Sequence, residues 1–241
     1  MVILLCVDAY PWTDPRTSLG ERQTELMYKV FRVDNLLPEE YPSRLVEFFQ
    51  SKFLKTLDDA HDCCRWNDTQ CNDEGEVVRV TWQGLSHIEN LNYSWFPPSI
   101  VVLHVIRTGT VDAALRTRCL PPKLKYLTLR LCLIGGTVDL TALPENLVEI
   151  GLDMNHISGS INLMNLPPSL TTLRLNGNCI SEIVYHLEKF PPNFRRASLQ
   201  SQRFQKNTTK MTPRVIAFGK KKKDSRIYLE YKPPKGTYEM I

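Results

Sequence analysis

The sequence predicts an α/β fold: a solenoid of about six units of 23–24 residues, with short parallel strands stacked in order. A helical cap precedes the units and a β-hairpin follows them. Three observations predict this. A proline-marked segment recurs five times. Apolar residues alternate with period two after each recurrence. Helical apolar spacing is confined to the stretch upstream.

The recurring segment is Phe96-Pro-Pro-Ser-Ile100, Leu120-Pro-Pro-Lys-Leu124, Leu143-Pro-Glu-Asn-Leu147, Leu166-Pro-Pro-Ser-Leu170 and Phe190-Pro-Pro-Asn-Phe194. Its last residues are spaced 24, 23, 23 and 24 apart. From Leu124 the chain continues with Leu127, Leu129, Cys132, Ile134 and Gly136; from Leu147 with Ile150, Leu152, Asn155, Ile157 and Gly159; from Leu170 with Leu173, Leu175, Asn178 and Ile180. The unit at Ile100 is weaker, with Leu103 and Val105 but Thr108 where Asn belongs. Val77, Val80 and Trp82 start the ladder one unit earlier. After Phe194 only Ala197 and Leu199 fit, and Gln202 replaces Asn, so the ladder is expected to end near residue 204.

Period two turns the leucines of each x-L-x-L stretch inward and the residues between them outward. No single unit can bury its apolar face alone, so the strands stack. The Asn amides sit where a side chain can bond backbone groups bared as the chain leaves the strand, and Cys132 in that slot reads as a small buried hydrophobe. Prolines favour an extended return arm and exclude one long amphipathic helix. The pattern resembles the leucine-rich repeat, L-x-x-L-x-L-x-x-N/C-x-L. The phrases Gly136-Thr-Val-Asp-Leu-Thr-Ala-Leu-Pro144 and Gly159-Ser-Ile-Asn-Leu-Met-Asn-Leu-Pro167 are similar to a group of leucine-rich repeat proteins of kinetoplastid protists. That resemblance covers about residues 76–200. It implies a non-enzymatic interaction role, since the group shares no catalytic residues.

Residues 1–75 form the expected cap, 76–204 the repeats and 205–241 a basic closing segment. The helical part of the cap has apolar spacing at Leu26, Val30 and Val33, then at Leu45, Phe48, Phe49, Phe53 and Leu54. Asp62-Cys63-Cys64-Arg65-Trp66-Asn67, then Cys71 and Gly75-Glu-Val-Val78, is similar to the cap of plant-type leucine-rich repeat proteins, C-C-x-W-x-G-V-x-C-x-x-x-G-x-V. Asn67-Asp-Thr-Gln70 stands where the Gly-Val segment belongs, so the match is partial. The resemblance implies a Cys64–Cys71 bridge if the cap is oxidised, leaving Cys63 to reach upstream, with Cys6 as a candidate. Zinc held by His61, Cys63, Cys64 and Cys71 is the competing reading, disfavoured because adjacent cysteines lack the usual ligand spacing. At the other end Pro213–Phe218 and Arg226–Tyr231 read as two strands of a hairpin around Gly219-Lys-Lys-Lys-Lys-Asp224.

The chain carries 30 basic and 26 acidic residues. From Lys206 onward there are ten basic and three acidic residues, +7, against −3 for the rest. The run Lys220, Lys221, Lys222, Lys223 is a candidate phosphate contact or targeting signal, against the plainer reading of a solvated turn. Overall composition excludes disorder throughout, and no stretch has the roughly 18 apolar residues a membrane span requires. The apolar run at residues 1–7 lies at the lower edge of a signal h-region, without a basic n-region or a small-residue cleavage site. An intracellular location is therefore expected, with secretion as the alternative that an oxidised cap favours. The sequons at Asn67, Asn92 and Asn207 occur near chance frequency.

The five histidines share no spacing with acids or cysteines suggesting a metal or a triad, and no phosphate loop or nucleophile elbow occurs. The expectation is no enzyme, cofactor, metal or small-molecule substrate. The outward strand residues form three columns on what is expected to be the concave sheet: Arg79, Val102, Tyr126, Glu149, Thr172, Arg196; then Thr81, His104, Thr128, Gly151, Arg174, Ser198; then Gln83, Ile106, Arg130, Asp153, Asn176, Gln200. Their mixed charge suits a protein partner, with Tyr and Arg as favoured anchors, whereas a nucleic-acid groove needs more basic and aromatic residues. The candidate contact residues are Arg79, His104, Tyr126, Arg130, Glu149, Asp153, Arg174 and Arg196. The alternatives are that the cap or the tail makes the contacts, the tail by binding RNA.

Overall fold

A computed structural model of the protein describes residues 18–31, 43–85, 88, 91–108, 114–200, 202, 212–218, 225–228 and 238–240. The chain is a β-solenoid built from two sheets. Their strands, in chain order, are β1 (Thr69–Cys71), β2 (Val77–Leu85), β3 (Val102–Thr108), β4 (Tyr126–Arg130), β5 (Gly135–Gly136), β6 (Glu149–Gly151), β7 (His156–Asn162), β8 (Thr172–Arg174), β9 (Cys179–His186), β10 (Arg196–Ser198), β11 (Arg214–Phe218), β12 (Ile227–Tyr228) and β13 (Tyr238–Met240). The front sheet runs β1-β2-β3-β4-β6-β8-β10-β12 and the back sheet β13-β11-β9-β7-β5. Successive rungs are parallel, and about five coils carry strands on both faces.

The inward residues of each coil make one continuous core. Leu103, Leu124, Leu129, Leu147, Ile150, Leu152, Leu170, Leu173 and Leu175 all have no residual exposure, and neither do Ile157, Ile161, Ile180 and Ile183 from the back strands. The proline segments close the coils by a repeated turn. The N–H of Ile100, Leu124, Leu147, Leu170 and Phe194 donates to the carbonyl of Pro97, Pro121, Pro144, Pro167 and Pro191 respectively, at 3.0–3.2 Å. The first proline therefore starts a turn; extension is confined to the residue before it, as at Leu120 (φ −68°, ψ 148°).

From β4 onward, the corners leaving the front strands are held by buried amides. Asn155 Oδ1 accepts from the N–H groups of Cys132 and Ile134 (2.9 and 3.2 Å), while its Nδ2 donates to the carbonyls of Leu129 and Leu152 (2.8 and 3.0 Å). Asn178 accepts from Ile157 N–H (3.1 Å) and donates to Leu152 and Leu175 (2.9 and 3.0 Å). Gln202 fills the same slot in the next coil. Its Oε1 accepts from Ile180 N–H (3.0 Å) and its Nε2 donates to Leu175 (2.8 Å), so the longer amide does the work of Asn. Cys132 is buried but not merely a hydrophobe, since its thiol lies 3.4 Å from the Val105 carbonyl. The residues before the slots at Thr108, Cys132, Asn155 and Asn178 take a left-handed backbone: Arg107 (φ 61°), Leu131 (57°), Met154 (58°) and Gly177 (68°). At Gly177 a Cβ would also meet the Met154 sulfur, which would have to shift.

The expected C-terminal hairpin does not form. β11 pairs in parallel with β9 of the back sheet, whereas β12 pairs in parallel with β10 of the front sheet. The two segments are opposite walls of a further coil, because the solenoid end offers each an open edge of its own sheet. Arg226 lies 4.7 Å above the Phe190 ring at this end. Lys220–Lys223 lie outside the described residues.

At the N-terminal end, helices α1 (Leu19–Val30) and α2 (Ser43–Phe53) pack aromatic side chains on the first coil. Phe31 and Phe53 meet Trp82 at ring distances of 4.9 and 5.1 Å, and Trp66 meets Phe49 at 5.0 Å. The buried Gln23 amide accepts from Val77 N–H (2.6 Å) and donates to the Gly75 carbonyl (2.7 Å), pinning α1 to the start of β2. β1 covers the outer edge of β2 in antiparallel pairing. Val33 lies outside the described residues.

Cys64 and Cys71 are joined by a disulfide with Cα atoms 5.6 Å apart, which removes both thiolates from the zinc reading. Cys63 is not bridged upstream but is a free, fully buried thiol. Burial pushes it up to about 11, partly offset by its hydrogen bond with Thr24. Cys6 lies outside the described residues.

Replacing Asn155 by Leu orphans two buried N–H groups and at least one carbonyl, each worth about 1–3 kcal/mol. Urea denaturation of Asn155→Leu should show a loss of at least about 3 kcal/mol, and a loss below about 1 kcal/mol would contradict the role given to the amide.

Candidate interaction surface

Register determines which side chains share the front face. Arg79, Val102, Tyr126, Glu149, Thr172 and Arg196 are successive partners across β2, β3, β4, β6, β8 and β10, and so are Thr81, His104, Thr128, Gly151, Arg174 and Ser198. The third column is paired through Gln83, Ile106 and Arg130. It then continues beyond the strand ends through Asp153, Asn176 and Gln200, where Met154 N–H donates to Asn176 and Gly177 N–H to Gln200 (2.7 and 2.9 Å). All eight candidate contact residues thus lie on one face. Tyr126 is 38% exposed, one of few large apolar side chains so open among the described residues. Arg79 and Arg130 are exposed, as is Lys125 beside Tyr126.

The two halves of this face differ chemically. Toward the C-terminal end, Arg174 reaches Glu149 and Asp153, both at 3.5 Å. Its guanidinium lies over Gly151, where a Cβ would stand 2.9 Å from Nη2. Asp153 Oδ1 accepts from the backbone and side-chain N–H groups of Asn176 (3.0 and 2.7 Å). Asn176 Oδ1 in turn accepts from the Ser198 hydroxyl and Gln200 N–H (2.6 and 2.8 Å). Arg174 is therefore a tie between rungs as well as a surface cation. Sequence reading missed this network, although Gly151 in register beside Arg174, with acids flanking it, was its visible trace.

Toward the N-terminal end, β2–β4 present Arg79 and Arg130, with Lys125 just before β4, around His104, Ile106 and Tyr126, while Val102 in the same column is buried. His104 is half-buried, and burial holds its imidazole below the ordinary histidine value; the Arg79 and Arg174 cations add to this and Glu149 opposes them. No group of three or more His, Cys, Asp or Glu side chains placed to hold a metal occurs among the described residues. Likewise, none of the described helices is long and apolar enough to cross a membrane. Near the disulfide, a cleft of about 490 Å³ is lined by Glu21, His61, Asp62, Asp73 and Glu74.

No protein-family model matches this chain, and no curated protein matches it.

Because folding lowers the His104 pKa, the unfolded chain takes up that proton first on acidification. The stabilising contribution of neutral His104 is full above its ordinary value near 6.5, declines as pH falls below that, and levels off beneath the folded value. In an NMR titration Arg79→Gln should raise the His104 pKa and Glu149→Gln should lower it further; no response to either change would place His104 outside their field.

Proposed function

We propose that this chain is a leucine-rich repeat protein that binds a protein partner through its front sheet, as a non-enzymatic adaptor or subunit of a larger assembly. One observation carries the reading. A rigid parallel sheet holds three registered columns of outward side chains, including an exposed Tyr126 flanked by Lys125 and Arg130. Such a surface exposes anchor residues that pay little ordering entropy on binding. The strand period, the proline turn and the buried amide slot together support the leucine-rich repeat assignment.

Photo-crosslinking tests the face. A benzoylphenylalanine placed at Thr128 on the front should yield protein adducts in cells of the source organism, and one at Ser160 on the back should not. Arg130→Glu should abolish the front adducts without shifting the melting temperature. Adducts from Ser160 alone would sink the assignment.

The +7 charge from Lys206 onward supports a second reading, an RNA-associated assembly component. Removing residues 205–241 would also remove β11 and β12, so charge removal is the cleaner test. Changing Lys220–Lys223 to Gln should lower RNA affinity and flatten its salt dependence; an unchanged slope rejects RNA binding by this run.

A further inference from the structure

Resting on the front-face reading, we propose that the recognition centre is confined to β2–β4 and takes a short acidic segment of a protein partner, with an apolar or aromatic residue between carboxylates. Charge distribution carries the argument. The registered outward residues of β2–β4 include two cations, Arg79 and Arg130, and no acid, with a third exposed cation, Lys125, immediately before β4; the bordering acids are Asp68 beside Thr81 and Glu149 in register with Tyr126. Between the cations lie Ile106 and the half-exposed Tyr126 ring, a site for an apolar side chain, over the buried Val102. The other half of the face is chemically satisfied from within. Arg174 already holds Glu149 and Asp153, and Asp153 is bonded onward to Asn176. A ligand docking there would have to break those bonds before making its own, whereas one docking on β2–β4 meets cations with no internal acid between them.

Dimensions set the size of the segment. Two rung spacings separate Arg79 from Tyr126, about 10 Å, and four residues along β4 separate Tyr126 from Arg130, about 13 Å. One extended stretch of about four residues covers that area. A nucleic-acid strand fits less well: its phosphates recur without interruption and would run onto Glu149, and this half of the face has one aromatic ring for stacking.

The full chain is tested by biolayer interferometry against an immobilised random copolymer of glutamate and tyrosine, with poly-L-glutamate and poly(U) RNA as comparators. We expect the copolymer to bind more tightly than poly-L-glutamate, with affinity falling as salt rises. Joint Arg79→Glu and Arg130→Glu should weaken it at least tenfold, Tyr126→Ala at least about fivefold, and Arg195→Glu, at an exposed cation immediately before β10 on the other half, less than twofold. If the double reversal disturbs the thermal melt, Arg79→Gln with Arg130→Gln replaces it, with at least a threefold loss expected. Absence of copolymer binding at low salt overturns the proposal, as does an equal loss with Arg195→Glu, or tighter poly(U) binding through the same arginines. Should crosslinks from Thr128 persist while the copolymer fails to bind, the front-face reading stands and the acidic-segment inference falls.

Discussion

The buried amides at the exits of β6, β8 and β10 are the constraint on which the solenoid depends. When the chain turns from the front strand toward the back, its N–H and C=O groups leave the ladder inside an apolar core, where each unpaired group is costly. Asn155, Asn178 and Gln202 each supply an acceptor and a two-proton donor at that corner; each bonds the coil before it, and Asn155 and Asn178 also bond their own. Stacking is thereby specified in register, since a slipped coil would strand these bonds. The left-handed corners at Leu131 and Met154 are strained for side-chain-bearing residues, and the amide bonds and packing hold them in place.

From that corner the remaining architecture is assembled by repetition. The leucines bury because period two sends them to the same side, and the proline turn brings the chain back to the start of the next rung. The outward columns are by-products of the same register. Side chains separated by 23 or 24 residues in sequence become neighbours about 4.8 Å apart on the sheet, so a surface assembled from distant residues is nonetheless simple to specify.

How much of this was legible in the sequence differs from element to element. The front strands and their columns were, because alternation and spacing encode them directly: Arg79, Val102 and Tyr126 line up simply by counting from the leucines. Gln202 was placed in the Asn slot by counting, but that its longer amide reaches Ile180 and Leu175 as Asn does is visible only in the packed coils. The hairpin was misread. Two β-prone runs flanking a short polar turn normally pair with each other, and nothing local in Arg214–Phe218 reveals that β9 offers a competing parallel edge. Of the candidate site, the residues were found but not their internal partners. Whether Arg174 meets solvent or Asp153 depends on the absence of a side chain at Gly151, a relation between coils rather than a property of either.

The aromatic packing at one end gives the molecule a mechanical polarity. Phe31, Phe53, Trp66 and Trp82 weld the first coil to two helices, and the Gln23 amide adds a polar clasp. Among the described residues the last front rung comprises Ile227 and Tyr228, with no helix packed against it. Under tension applied through the two chain ends, β12 is the lighter joint, and coils peel from that end inward while the helical end stays shut. Force transmitted through an assembly would accordingly be shed by uncoiling the C-terminal end first, leaving β2–β4 intact longest.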